Sequence, residues 1–181
     1  MCGRFFMSFD DSDESQAIQK KLYDKNLFEF AQGEVFPSQH VVVLTANHGV
    51  MDADVMKWGF NTKYKSINAR SEGIENKWTF KPYLHNRCIV LANGFYEWVK
   101  DGKRKHKIYI QKSDEPFIYM AGIYNDQKEL VIVTGESEGE MKLIHDRTPI
   151  LIPHDEVRNF LNYRINFSVD NENLIFNGLN E

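Results

Sequence analysis

The second residue of the chain is a cysteine, in Met1-Cys2-Gly3-Arg4-Phe5. A small residue at position two permits removal of the initiator methionine, which would leave Cys2 first, with a thiol and an α-amine on adjacent carbons. The amine has a reference pKa of about 7.7–8.0 and the thiol about 8.5, so both nucleophilic forms are accessible near neutrality. An aldehyde meeting this pair forms an imine with the amine, and the thiol then closes a five-membered thiazolidine ring. The second, intramolecular bond makes that product far more durable than a simple Schiff base. Taken alone, Cys2 reads as an incidental cysteine at a frayed terminus.

Three further segments carry groups that suit such chemistry. Asn68-Ala69-Arg70-Ser71-Glu72 precedes an expected helix. Gly94-Phe95-Tyr96-Glu97-Trp98 sets a carboxylate inside an otherwise apolar strand. If Glu97 faces inward, burial disfavours its charge, raises its pKa and lets it trade protons near neutral pH; an outward-facing Glu97 would be ordinary surface. His145-Asp146-Arg147-Thr148-Pro149 offers an imidazole in the acid/base range beside a guanidinium suited to phosphate. The other histidines, His40, His48, His85, His106 and His154, have no such context.

The elements that must position these residues can be read from pattern. Ala17, Ile18 and Leu22 have helical spacing between Ser12 and Lys25, with Ser12 or Asp13 as cap. Val41 to Leu44 reads as a buried strand, followed by an Asn47-His48-Gly49 turn and a strand through Val55 to Trp58. Glu72 to His85 predicts a helix interrupted or ended near Pro82. Strands are expected at Cys88–Ala92, Phe95–Val99, Lys107–Gln111, Phe117–Tyr124, Leu130–Thr134 and Ile150–Ile152, with a hairpin at Asp101-Gly102. Short helices are expected near Glu138–Ile144 and His154–Tyr163. The predicted fold class is α+β: a single domain, residues 1–181, on a curved, mostly antiparallel or mixed, barrel-like sheet with peripheral helices.

The chain has 181 residues, 42% hydrophobic, 13% aromatic and 27% charged, an ordinary globular composition with enough length for a conventional core. No apolar run approaches the roughly 18 residues of a membrane-spanning helix, and no signal peptide is evident. Two cysteines, Cys2 and Cys88, are too few for a disulfide scaffold, and no Cys/His spacing of metal type occurs, so no metal or other cofactor is expected and a reducing, cytoplasmic compartment is. The net charge of −4 argues against coating nucleic acid by bulk positive charge. Its distribution qualifies that. Residues 57–112 hold thirteen Lys/Arg against four Asp/Glu, whereas residues 1–40 hold four against seven and residues 113–140 one against seven. Aromatic residues interleave the basic segment (Trp58, Phe60, Tyr64, Trp78, Phe80, Tyr83), a pattern compatible with base stacking or with core.

Cys2-Gly3-Arg4-Phe5, Asn68-Ala69-Arg70 with Glu72, Arg87-Cys88 leading to Gly94-Phe95-Tyr96-Glu97-Trp98, and His145-Asp146-Arg147-Thr148-Pro149 occur in that order. In this the sequence resembles the SOS-response-associated peptidase (SRAP) family of abasic-site processing proteins, over residues 2 to about 161. The resemblance implies a monomer that binds abasic sites in single-stranded DNA and at single-strand/double-strand junctions, associating with the nucleoid when it acts. It implies that the mature Cys2 attacks the ring-opened C1′ aldehyde and forms a thiazolidine crosslink that shields the lesion. Asn68 would orient the sugar and terminus, Glu97 would handle protons at the amine and imine, and His145 would act on the sugar oxygen. The same pair run backwards would reverse the crosslink. The family's peptidase label refers to self-cleavage exposing the cysteine; with Met1 alone ahead of Cys2, an ordinary aminopeptidase suffices.

For DNA contacts, Arg4, Arg70 and Arg147 lie beside three of these positions and are expected to hold flanking phosphates. Pro37 matches the family's wedge proline, Trp58-Gly59 also matches, and Thr134 falls where the family has a site-proximal Thr. The chain departs from the family after Trp58-Gly59: a Pro-containing loop with further tryptophans is replaced by Phe60-Asn61-Thr62-Lys63-Tyr64, leaving Tyr64 as the stacking plane. Leu91 stands where Pro is usual, and the segment after Tyr163 does not match. Two other classes are a non-covalent single-stranded DNA binding module and a thiol peptidase with an N-terminal Cys nucleophile. The first would keep Met1; the second would turn over peptides and leave the arginines unexplained.

Overall fold

Alternating and continuous apolar runs rich in Val, Ile, Phe and Tyr form twelve strands in two sheets in the computed structural model, which describes residues 1–168, 170 and 172–178. The strands are β1 (Phe5–Met7), β2 (Gly33–Val35), β3 (His40–Asn47), β4 (Val50–Trp58), β5 (Asn68–Arg70), β6 (Arg87–Ala92), β7 (Gly94–Asp101), β8 (Arg104–Lys112), β9 (Ile118–Tyr124), β10 (Glu129–Glu136), β11 (Arg147–Pro149) and β12 (Leu174–Asn177). The helices are α1 (Asp13–Asp24), α2 (Met141–Ile144) and α3 (Val157–Leu161). Among the described residues, no helix is long and apolar enough to cross a membrane.

The smaller sheet has the order β12-β8-β7-β1-β2. In the larger one β3 pairs with β4 and β6, β6 with β9, β9 with β10, and β10 with β4, so the pairing path returns to its start and the sheet is partly ring-like. β10 also pairs with β5 and β11, so three segments that hold site residues meet on one strand. Continuous burial from Cys88 to Ala92 and from Leu130 to Val133 explains why those strands lack alternation: both faces are covered.

Most expected elements form with shifted ends. Ser12 caps α1, its hydroxyl accepting from the Ser15 N–H at 3.2 Å. His48 and Gly49 close the β3–β4 hairpin with φ of 49° and 80°, the left-handed pair a two-residue turn requires. Three expectations need correction. The helix over 72–85 is instead two single 3-10 turns, Ile74–Asn76 and Lys81–Tyr83. Gly73 sits at φ 67° and Pro82 lacks an amide hydrogen, so no continuous ladder can run between them. The strand expected at Ile150–Ile152 lies at β11, three residues earlier, with Leu151 kept only as a bridge to Met120. Asn68-Ala69-Arg70, read as the approach to a helix, is a strand whose partner, β10, is more than sixty residues away in sequence.

Gly94 opens β7 beside Phe6 of β1, and a side chain there would meet the Ile110 carbonyl and the Tyr109 ring at 2.6 Å. The bare backbone lets β7 lie flat between β1 and β8, and so sets the depth of Glu97 three residues on.

Candidate active site

Residues 1–4 run off the end of β1, clamped between the neighbouring elements. The Tyr96 amide donates to the Arg4 carbonyl at 2.9 Å, and Asn68 Nδ2 donates to the Cys2 carbonyl at 2.9 Å. Phe5 anchors the run by packing against Trp58, ring centroids 5.1 Å apart. The result is that Cys2 is completely buried rather than frayed.

Glu97 shares a face of β7 with Phe95, as residues two apart on a strand must, and that face is buried. Its carboxylate is 4% exposed, so the inward alternative holds. The Met1 nitrogen lies 3.3 Å from Glu97 Oε1 and 2.9 Å from His145 Nε2. His145 ends α2 in an extended conformation, which turns its ring back towards the terminus. The Arg147 amide donates to His145 Nδ1 at 2.9 Å, so the neutral ring carries its hydrogen on Nε2, facing the amine. An Nε2–H donates only to an amine that has lost a proton, and Glu97 stands on the other side to accept that proton.

The electrostatics fit this division. Burial, opposed by the adjacent ammonium, raises Glu97 above the ordinary carboxylate value. Burial first, and the positive N-terminus second, push His145 below the usual imidazole value, favouring the neutral ring. The Cys2 thiol is pushed up to about 12, by burial and then by the Glu97 charge. At that value only about one thiol in 10⁵ is ionised at pH 7. With Met1 in place the sulfur is dormant, its thiol donating to the Arg4 carbonyl at 3.8 Å.

A pocket of about 550 Å³ opens onto this cluster, lined by Met1, Arg70, Ser137, Lys142, His145 and Arg147 among others. Around it, buried polar atoms lack hydrogen-bond partners: Asn68 Oδ1, Ser137 Oγ and Arg147 Nε, together with Glu97 Oε1 apart from its ion pair. Such orphans are few in folded proteins, and water or a bound molecule would satisfy them. Ser137 and Lys142 escaped sequence reasoning. For Lys142 a signal existed, since it stands three residues before His145, one helical turn away.

The proposed DNA-contacting residues separate into two groups. Arg70 is exposed at the pocket, Tyr64 is 82% exposed, and Pro37 is half-buried at the β2–β3 turn beside the exposed Phe36. The others are engaged elsewhere. Arg4 pairs with Glu34 at 2.9 Å and is sandwiched by the rings of Phe36 and Trp98. Arg147 makes a two-point pair with Glu72, both contacts 2.9 Å, and donates to the Thr134 carbonyl and hydroxyl; this pair holds Glu72 below the usual carboxylate range. Thr134 and Trp58, expected as DNA contacts, are fully buried. Thr134 holds Arg147, and Trp58 is core, its indole N–H donating to the Ile67 carbonyl at 3.0 Å and so fixing the entry to β5. The basic segment is likewise divided: Lys107 pairs with Glu34, Lys112 with Asp170, and Arg87 is enclosed by Phe160, Tyr163 and Phe167.

A model of the family described as SOS response associated peptidase (SRAP) matches residues 1–178. The abasic site processing protein YoaM of Bacillus subtilis is 31% identical, over 90% of this chain and 79% of its own length. The abasic site processing protein YedK of Escherichia coli is 30% identical, over 91% of this chain and 81% of its own length. Among solved structures, a Bacteroides thetaiotaomicron protein superposes with a TM-score of 0.77 at 22% identity, covering 97% of this chain and 90% of that one. A phage-related protein from Bordetella bronchiseptica gives 0.74 at 20% identity, covering 99% and 95%. These two likenesses establish the fold.

Proposed function

This chain belongs to the SOS response associated peptidase family, and on that premise we propose that it processes abasic sites in single-stranded DNA by forming a covalent thiazolidine crosslink through Cys2. The observation that carries the reading is the amine held between Glu97 and His145, with the cysteine as the next residue. The nitrogen there is that of Met1; it stands in for the Cys2 amine, which removal of Met1 would free.

The chemistry balances with the groups at hand. Glu97 takes a proton from the ammonium, and the neutral amine adds to C1′ of the ring-opened sugar, forming a carbon–nitrogen bond. One amine proton passes to the aldehyde oxygen, to which the neutral His145 ring donates a hydrogen bond through Nε2; Glu97 returns its proton to carry that oxygen away as water and takes the last nitrogen proton, leaving an imine. The Cys2 sulfur then adds to the same carbon, and its proton ends on nitrogen, closing the ring. Asn68 keeps the terminus in place through the Cys2 carbonyl, and its free Oδ1 is available to a sugar hydroxyl. Loss of Met1 would open the burial that silences the thiol.

The test is incubation with an oligonucleotide bearing one abasic site, followed by denaturing electrophoresis. A shifted band is expected with wild type, none with Cys2→Ala, and none with an intact-base oligonucleotide. A band of equal intensity with Cys2→Ala would overturn the mechanism.

A further inference from the structure

A second pocket, of about 530 Å³, lies outside the acid/base cluster, between the loop after β4 and the two 3-10 turns after β5. Phe60 holds these segments together: it is buried, with ring centroids 5.9 Å from Phe80 and 5.7 Å from Tyr83, the latter edge-on. On this base stands Trp78, 84% exposed, the most exposed large apolar side chain of the chain's described residues. Exposing an indole forgoes the burial that would stabilise the fold, so its place at a pocket mouth points to a ligand with an aromatic face.

The remaining walls are polar without being acid/base groups. Asn61, Thr62, Thr79 and Gln127 contribute amides and hydroxyls. Four lysines on the two flanking segments, Lys63, Lys65, Lys77 and Lys81, are exposed; among the described residues none makes an ion pair, and Lys63 lies 5.5 Å from the centre of the Tyr64 ring. Glu129 is the acid lining the pocket, and it is turned to internal work, accepting from the Asn61 amide and Asn125. A flat apolar wall, amide edges and unpaired cations together match one ligand class: a nucleobase with the phosphates that flank it.

We propose that this pocket seats a base of the DNA strand running away from the lesion, stacked on Trp78, with Tyr64 and the four lysines guiding the backbone towards it. The proposal rests on the reading of the chain as a DNA-acting protein. Geometry permits it: Trp78 is ten residues from Asn68, so the two lie within about 35 Å, roughly ten stacked nucleotides.

The experiment measures affinity for a single-stranded oligonucleotide with all bases intact, by fluorescence anisotropy at low salt, for wild type, Trp78→Ala and Trp78→Phe. Trp78→Ala should weaken binding roughly 5- to 150-fold, the range set by one base–aromatic stack, and Trp78→Phe should restore most of it. Binding should quench tryptophan fluorescence in wild type and hardly at all in Trp78→Phe, because Trp58 is buried and Trp98 is covered by Arg4. Equal affinity of Trp78→Ala and wild type, no measurable binding by either, or failure of Trp78→Phe to restore it, overturns the proposal. The abasic oligonucleotide is run in parallel with the wild-type protein at saturating DNA, where a crosslink reports the chemistry separately from the binding comparison. A crosslink with no Trp78 effect removes the stacking site and leaves the chemistry. A Trp78 effect with no crosslink does the reverse.

Discussion

The pocket at the N-terminus and the pocket beside Trp78 have almost the same volume, about 550 and 530 Å³, and nearly opposite contents. In the first, burial raises the pKa of a carboxylate against the pull of the adjacent ammonium and, together with that ammonium, lowers the pKa of an imidazole, and several buried polar atoms are left unpartnered. In the second, an exposed indole, amides and lysines present surfaces rather than protons. Displaced titratable groups mark places where protons move, while exposed cations and aromatic faces suit grip. On the proposed function, bond-making falls to the first pocket and holding to the second, and the contrast can be broken by experiment.

The largest effect should fall on the chemical end. Glu97→Gln keeps the shape and removes the proton acceptor, so crosslinking at saturating DNA should slow by roughly 10²- to 10⁴-fold, the usual contribution of a positioned acid/base group. Affinity for intact-base DNA should stay near wild type. If affinity fell with the rate, Glu97 would be structural and the contrast would fail. Combining Glu97→Gln with Trp78→Ala sharpens the point: in single-turnover assays below saturation the two losses should multiply, as distant and independent sites do.

The next effect is in pH. Glu97 acts as a base only when ionised, and burial raises its pKa above the ordinary 4.5. The crosslinking rate should therefore fall with decreasing pH through that raised value, higher than an exposed glutamate would give. Glu97→Gln should lose that limb, which rate measurements across pH 4–8 would check. Stability carries the same sign. A folded-state pKa above the unfolded one means that the contribution present below 4.5 is lost as pH rises through the folded value. Melting temperatures should accordingly favour Glu97→Gln over wild type more at pH 8 than at pH 4. A constant difference would show that the ammonium fully offsets burial.

Much of the chemical end was legible because its residues sit in short motifs with self-evident chemistry: a terminal cysteine, a carboxylate in an apolar strand, a histidine beside an arginine. The strand assignments served it well, since Phe95 and Glu97 must share a face once β7 is drawn. What escaped depended on partners distant in sequence. Nothing local in Asn68-Ala69-Arg70 announces a strand, because β5 exists through its pairing with β10. Nothing local distinguishes buried Trp58 from exposed Trp78, although both sit among lysines; depth is decided by the Phe5 and Ile67 contacts that only the fold supplies. The charge count misled for a similar reason. Thirteen basic residues in one segment suggest a face, but several are neutralised or enclosed by residues from outside it, Glu34, Asp170 and the Phe160 cluster.

That last distinction yields the smallest expected effect. Arg70 and Arg147 are both arginines at the N-terminal pocket, and by sequence both should hold phosphate. Arg70 is exposed and makes no ion pair among the described residues, so a phosphate meeting it gains its charge and releases a counterion. Arg147 already satisfies Glu72 through two contacts of 2.9 Å, so the pair presents almost no net charge to DNA. Removing Arg70 should therefore lower the slope of log affinity against log salt by about 0.7, the value for one phosphate contact on a single strand. Arg147→Gln should change that slope by less than half as much, whatever it does to the absolute affinity. The slope counts ionic contacts and is insensitive to a modest loss of folded protein, which makes it the cleaner measurement. Equal slope changes would mean that DNA displaces Glu72 and takes Arg147 for itself, turning a residue of the holding scaffold into one of the grip.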